Sequence, residues 1–434
     1  MRAPRHGIAC FLAAVIAFGT ATVSSAANTP GSVDTSFGNN GSVPTPLNPP
    51  TPRKNAVAVQ PDGKFLIAGW DPAHPGDPHD IVVRLRPNGA IDASFGTNGR
   101  VDLTAADPTG NEPSAITVDH AGRILLAYSN GSPVRHMAVV RLLPDGSFDL
   151  TFGSNGHARV LSVPEMNRVS DLIEQKVDNT YRIVIAGTAA GRHWQLVVAA
   201  LTEAGTTDTT FGAAGTTTVP FREGSARGID LVVQDLLIGP GNRVIVTGAL
   251  GAFQDKPLNA WVVRLSTSGQ RDDTFGVNGF SGVYVGPNKG LQSLDGYPYM
   301  GDGAVTDDGR ILVTATLDTY DQPNTLVVLK FDLRGRLDSS FGTNGRAKAT
   351  IPATMYVRDL QLGADGKPVL ISGDRTNGGN VAIALTRLTP TGGLDTTFGT
   401  GGTTRGPAQV VRSTALQGSK LLLVGHHDIH RVLL

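Results

Sequence analysis

An eleven-residue motif, Gly-x-x-Asp-x-[Ser/Thr]-Phe-Gly-x-x-Gly, occurs seven times between Gly31 and Gly402. Its Phe residues are Phe37, Phe95, Phe152, Phe211, Phe275, Phe341 and Phe398, separated by 57 to 66 positions. Its acids are Asp34, Asp92, Asp149, Asp208, Asp272, Asp338 and Asp395, and all three Gly columns are complete. A period near 60 residues that runs through almost the whole chain excludes the two or three unrelated domains that 434 residues would otherwise suggest.

Between motifs each unit reads as three short strands of period-2 alternation separated by turn signals. In the first they are 56–59, 64–69 and 81–85. The first two are joined by Pro61-Asp62-Gly63, where Asp-Gly supplies the positive φ of a tight hairpin; 307–310 and 364–367 repeat it. The motif itself is expected to form a fourth, outer strand, as over Ile91 to Phe95. Four antiparallel strands per unit predict an all-β chain built as a β-propeller.

The two ends fit one ring. After Phe398 only three strands' worth of chain remains, whereas Pro30 to Gly41 carry a complete motif with no strands of their own before it. A segment of about 30–46 is therefore expected to lend the fourth strand to the last blade, giving seven blades closed 3+1 with no open sheet edge.

The Phe-Gly-x-Asn-Gly run, the Asp-Gly-Lys hairpin and the Val-x-Arg-Leu strand resemble the bacterial delta-60 repeat family, and in pattern the NHL-type propellers. The resemblance spans essentially everything after residue 27 and implies an exported propeller with no established chemistry. Ala213-Ala214 stand where five other copies have x-Asn, and the chain is long between Gly279 and Gly303.

The first 26 residues are a different material. Arg2 and Arg5 precede an apolar run from Ile8 to about Val23, followed by Ser24-Ser25-Ala26-Ala27, which reads as a secretory signal peptide ahead of a single propeller over 27–434. The expected destination is the periplasm or the medium, with no membrane span after processing. Cys10, the only cysteine, lies in that leader. The processed chain then has neither a disulfide nor a thiol nucleophile. Lys+Arg and Asp+Glu cancel at 37 each, which argues against nucleic acid as a partner. The excess of turn formers, 54 Gly and 27 Pro, is what short strands and many corners require.

Residues present in every unit are expected to build the blade. The motif Asp should accept hydrogen bonds from the backbone and from the Ser/Thr two residues on, and the Phe should bury between blades. Arg84, Arg141, Arg264, Lys330 and Arg387 recur five positions before the motif Gly, with Ala200 breaking the series. A second cation follows every inner hairpin: Lys64, Arg123, Arg182, Arg243, Arg310, Lys367 and Lys420. These either form an anion-binding ring on one face or offset the acids of their own turns.

Function is expected where blades differ. Loops between the second and third strands contain or border Trp70, Trp194 and Trp261 together with His74, His79, His136, His193, His426 and His427. Three readings stand for this region: an ordinary variable surface; a binding face whose indoles and Tyr128 or Tyr320 stack on sugars or grip a peptide, with Asp318 or Arg192 as polar anchors; and a metal or catalytic site. No Glu-x-x-His, EF-hand or Gly-x-Ser-x-Gly pattern occurs, and neither a metal, a cofactor nor a catalytic residue is assigned. The sequence is read as a monomeric, exported binding or scaffold protein for a glycan, peptide or envelope partner. The alternative is a propeller enzyme of lyase or sugar dehydrogenase type using the His-bearing loops, with a divalent metal.

Overall fold

The computed structural model describes residues 29–47, 56–71, 80–104, 113–130, 136–160, 166–189, 194–221, 229–252, 257–287, 302–317, 324–351, 355–374, 383–407, 411–425 and 427–434. They form seven four-stranded antiparallel sheets arranged as a seven-bladed β-propeller. The signal-peptide region lies outside the described residues.

Strand β1 (Ser42–Pro44) belongs to the last blade. Blade one is β2 (Ala56–Val59), β3 (Phe65–Trp70), β4 (Asp80–Leu85) and β5 (Arg100–Asp102). Blade two is β6 (Ala115–Val118), β7 (Ile124–Asn130), β8 (His136–Leu142) and β9 (His157–Val160). Blade three is β10 (Met166–Val177), β11 (Thr180–Ala189), β12 (Gln195–Thr202) and β13 (Thr216–Pro220). Blade four is β14 (Ile229–Gly239), β15 (Arg243–Ala252), β16 (Pro257–Leu265) and β17 (Phe280–Pro287). Blade five is β18 (Gly303–Val305), β19 (Ile311–Leu317), β20 (Asn324–Phe331) and β21 (Arg346–Ile351). Blade six is β22 (Met355–Leu362), β23 (Pro368–Asp374), β24 (Ile383–Arg387) and β25 (Thr403–Arg405). Blade seven is β26 (Val411–Gln417), β27 (Lys420–Gly425) and β28 (Asp428–Leu433), completed by β1.

The 3+1 closure is in register: Ser42 pairs with His430, Val43 with Ile429 and Pro44 with Asp428. Each blade's first strand also contacts that of the next, from β2 through β6, β10, β14, β18, β22 and β26 back to β2. These strands therefore line the axis. Three of their contacts are reinforced by carboxylates: Asp171 accepts from the Leu236 amide (2.9 Å), Asp235 from the Gly303 amide (2.6 Å) and Asp359 from the Thr414 hydroxyl (2.5 Å), each in the following blade.

Two details differ from the expectations drawn from sequence. The motif is not the fourth strand. Ile91 makes only an isolated bridge to Leu85, Asp92 to Gly99 turn the corner, and the outer strand starts at the residue after the last motif Gly. The cause is backbone conformation. Gly96 (φ 52°), Asn98 (φ 53°) and Gly99 (φ 88°) all take positive φ, which ends an extended run. Alternation of inward and outward side chains is also confined to outer strands such as Thr216–Pro220. The second and third strands, such as Asp80–Leu85, are buried on both faces. Blades stack face to face, so a middle strand has no solvent side and reads as a continuous apolar run.

The core is accordingly divided. The buried apolar residues fall into seven clusters, one at each seam between neighbouring blades. Each seam is wedged by a motif Phe, all seven being essentially inaccessible. The first motif Gly of the next blade makes room for it: a Cβ on Gly146 would lie 2.8 Å from the Phe95 ring. The Gly after the Phe then donates its amide across the seam, as Gly96 does to the Asp145 carbonyl at 2.7 Å.

Candidate functional site

The repeated polar residues form one device per blade. In blade one, Asp92 Oδ1 accepts from the Ser94 hydroxyl (2.8 Å) and Oδ2 accepts from Arg84 Nε (2.9 Å). The Arg84 guanidinium lies 4.6 Å above the Phe95 ring and donates through Nη1 to the Pro144 carbonyl of blade two at 2.5 Å. One Arg thus holds the acid of its own corner, covers the wedge and grips the next blade. Arg141, Arg264, Arg387 and Arg431 stand likewise over Phe152, Phe275, Phe398 and Phe37. In blade five Lys330 takes the place, 5.4 Å from the Phe341 ring.

The hairpin cations are mostly drawn into the same corners. Lys64, Arg243, Arg310, Lys367 and Lys420 pair with Asp92, Asp272, Asp338, Asp395 and Asp34 at 2.7 to 3.3 Å. Blade three shows why the series tolerates Ala200: Arg182, one strand away, moves in to pair with Asp208 at 3.1 Å and lies over Phe211. Arg123 is the exception, paired with Asp119 (2.5 Å) and with Glu203 of blade three (2.7 Å). A ring of free cations is therefore not what these residues make.

The corner acids Asp34, Asp92, Asp149, Asp272, Asp338 and Asp395 stay ionised to low pH. At Asp92 burial opposes ionisation, but the Ser94 hydroxyl, Arg84 and Lys64 outweigh it and hold the carboxyl at about 2. At Asp395 the Thr397 hydroxyl leads; burial opposes it, and Lys367 and Arg387 add to it, so the group is held well below the usual carboxylate range.

A second cluster joins blades two and three. Asp119, His120 and Glu174 bring one ligand atom each within 4.8 Å of one another. His120 Nδ1 lies 2.6 Å from Glu174 Oε1 and its ring stacks on Tyr181 at 3.6 Å. Asp119 Oδ2 is already taken by Arg123, which sets a cation where a metal would have to sit. No sequence spacing reveals this group, because Glu174 and the adjacent Asp119-His120 pair come from different units.

The seam between blades three and four holds a cavity of about 430 Å³. Phe221, just past β13, projects there from blade three; Leu250, Trp261 and Phe280 come from blade four. The Phe221 ring lies 4.9 Å from Trp261 and 5.7 Å from Phe280, the latter edge to face. Trp261 is 1% exposed, and its indole N–H has no acceptor among the described residues. Arg271 and Val277 line the same space from the motif corner.

Superposing the seven units shows what is special here. The position of Trp261 holds Ile81, Ala138, Val197, Val327, Ala384 or Asp428 elsewhere. Across the sheet Trp261 faces Gly248 on one side and Gly282 on the other. A Cβ on Gly248 would lie 2.3 Å from the indole. The counterparts of Gly282 are Asp102, Arg159, Thr218, Lys348, Arg405 and Pro44. Arg271 stands where the other motifs have Val33, Ile91, Phe148, Thr207, Leu337 and Leu394. Phe280 replaces Ser42, Arg100, His157, Thr216, Arg346 and Thr403. Val277, 76% exposed, is the only Val or larger aliphatic at its motif position. Five departures from the repeat in one blade thus meet at one cavity.

Among the loop residues singled out from sequence, Trp194 and Trp261 converge on this seam. Trp194 packs against the same apolar cluster, and its carbonyl accepts from the Phe221 amide at 3.2 Å. Trp261 is a buried wall rather than a surface-presented indole. Its flanking glycines let it sink into the sheet. Trp70, His136 and His427 stand on blades one, two and seven: Trp70 ends β3 opposite Asp80, His136 opens β8, and His427 is exposed before β28. His74, His79, Arg192, His193, Asp318, Tyr320 and His426 lie outside the described residues.

A family model described as "Domain of unknown function (DUF5122) beta-propeller" matches residues 60–95, 122–152, 306–341 and 363–398. Four of the repeat units carry that family's signature. Among curated proteins none matches in sequence. Among solved structures, Drosophila semaphorin 2a aligns with a TM-score of 0.48 at 10% identity, over 93% of this chain and 76% of that one. A family PL25 ulvan lyase bound to -[GlcA(1-4)Rha3S]- aligns at 0.46 and 11%, over 93% and 96%. A glucose dehydrogenase aligns at 0.38 and 12%, over 77% and 97%.

Proposed function

We propose that this chain is an exported propeller of delta-60 type repeats that works by binding, as a recognition or scaffold protein for a glycan, peptide or other envelope partner. The observation that carries the reading is the contrast between blades. The charged residues common to all units are engaged in corners and seams, whereas blade four devotes five positions to an aromatic cavity that adds nothing to the repeat's own hydrogen bonding. Recognition sites on repeat scaffolds arise where single units depart from the pattern that maintains the fold. Trp194, beside this seam, would extend the contact surface.

The test is a thermal-shift and pull-down screen of the processed protein against glycans, peptides and envelope extracts, run beside Phe280→Thr, which restores a residue type found at the same place in other blades. A partner retained by the intact protein and lost by Phe280→Thr supports binding at this seam. Retention of every partner by the variant refutes it.

A further inference from the structure

The seam cavity has a chemistry narrower than general recognition, and its ligand class can be read on the basis of the binding function proposed above. Its walls are mostly apolar: Phe221 and Phe280 present aromatic rings and Leu250 and Val277 aliphatic side chains, with Asn259, Asn278 and Arg271 as the polar lining. Arg271 is the cation that reaches this space, whereas the Trp261 indole N–H is sealed from it. Arg271 is exposed and makes no ion pair among the described residues, whereas the corner and hairpin cations of this blade, Arg264 and Arg243, both hold Asp272. About 430 Å³ lies within the usual range of small-molecule sites.

We infer that the cavity between blades three and four binds a small amphipathic carboxylate, its apolar body against Phe221, Phe280 and Val277 and its acid end paired with Arg271. Two features of the site favour this over a polar saccharide. The apolar side chains of the lining outnumber Asn259, Asn278 and Arg271, and Arg271 stands where the other blades carry Val, Ile, Phe, Thr or Leu. A bidentate guanidinium is suited to a carboxylate, and removal of such a charged hydrogen bond costs roughly tenfold or more in affinity.

The experiment measures binding of phenylacetate, hexanoate, phenylacetamide and glucuronate to the processed protein by calorimetry and indole fluorescence. Saturable binding of phenylacetate and hexanoate is expected, with phenylacetamide and glucuronate at least about tenfold weaker. Arg271→Leu installs the residue that blades five and six carry at this position, so the fold should persist at an unchanged melting temperature. It should weaken both carboxylates about tenfold and leave phenylacetamide within about twofold. Phe280→Thr should weaken phenylacetate and phenylacetamide alike. Absence of carboxylate binding to the intact protein, equal binding of acid and amide, or an Arg271→Leu variant that binds phenylacetate normally would each overturn the inference. If a glycan or peptide is held at the seam and is lost in Phe280→Thr while no carboxylate binds, the recognition reading stands and only this inference falls.

Discussion

Asp34 and Arg431 are 397 positions apart in sequence and 2.8 Å apart in space. Arg431 closes the ring three times over: with Nε on Asp34, with its guanidinium 4.7 Å from the Phe37 ring, and with Nη1 on the Pro87 carbonyl of blade one at 2.5 Å. One side chain therefore joins the last strand of the chain to its first motif and to the first blade. Arg431→Ala should leave the buried Asp34 with Lys420 alone and lower stability by about 3 kcal/mol, read as a fall in the urea midpoint. Deleting 30–41 should cost more, since it also removes the Phe37 wedge and unpairs the outer edge of blade seven. Melting of that truncation at the intact protein's temperature would contradict the closure.

Blade three relies on a single cation at its corner. Asp208 is paired with Arg182, whereas Asp272 in blade four has both Arg264 and Arg243. Arg182→Ala is therefore expected to be the more damaging change, at about 3 kcal/mol. Arg243→Ala, which removes a half-exposed partner from an acid still held by Arg264, should cost about 1 kcal/mol or less. A double variant, Arg182→Ala with Ala200→Arg, should recover part of the loss by restoring the strand cation of the other blades. Equal costs for the two single variants, by denaturant titration, would show that the second cation is not redundant.

The seven-fold order was plain in the chain because the corner needs particular residues: an acid to accept, a Phe to wedge and glycines at positive φ. What the chain hid follows from how those parts are shared. Arg431 belongs to the strand series of Arg84 and Arg387, but its acid lies at the opposite end, so no local spacing exposes the relation. The motif looked like a strand because Ile91 and Phe95 are apolar, and only the positive φ values around Gly96 to Gly99 make it a corner. The cavity was hidden for a third reason. Trp261, Arg271, Val277 and Phe280 are each unremarkable alone, and Phe221 enters from another blade; they form a site only once the units are superposed and the seam is closed.

Acid should unfold the ring by a predictable route. Asp34, Asp92, Asp149, Asp272, Asp338 and Asp395 all titrate below their ordinary range, because hydroxyls and cations outweigh the burial that opposes ionisation. A depressed carboxyl stabilises the folded state at pH values above its unfolded pKa, near 4, and that contribution is lost as pH falls through the folded value. For Asp92, held at about 2, the contribution is on the order of 2 kcal/mol. Melting temperature should thus be level from pH 7 to about 5 and fall steeply between about 4 and 2. Asp92→Asn should flatten part of that fall while lowering stability at pH 7. A melting temperature unchanged down to pH 2 would show that the corners do not couple to titration.

Gly248 tests whether Trp261 is positioned by its neighbours. A Cβ at this residue would lie 2.1 Å from the Val232 carbonyl and 2.3 Å from the indole, so neither backbone nor ring has room to yield cheaply. Gly248→Ala should cost about 1–3 kcal/mol, through displacement of the indole and of the β14–β15 pairing. Gly366 offers the control for a conformational effect alone: its φ is 72° and no atom lies within 4 Å of an added Cβ. Gly366→Ala should cost about 1 kcal/mol from the left-handed backbone, with Trp261 fluorescence unchanged. In Gly248→Ala the emission should shift to longer wavelength as the ring is pushed toward the cavity. If Gly248→Ala retains the intact protein's emission maximum and stability, the glycine is not what seats the tryptophan, and the cavity wall owes its geometry to Phe221 and Phe280 instead.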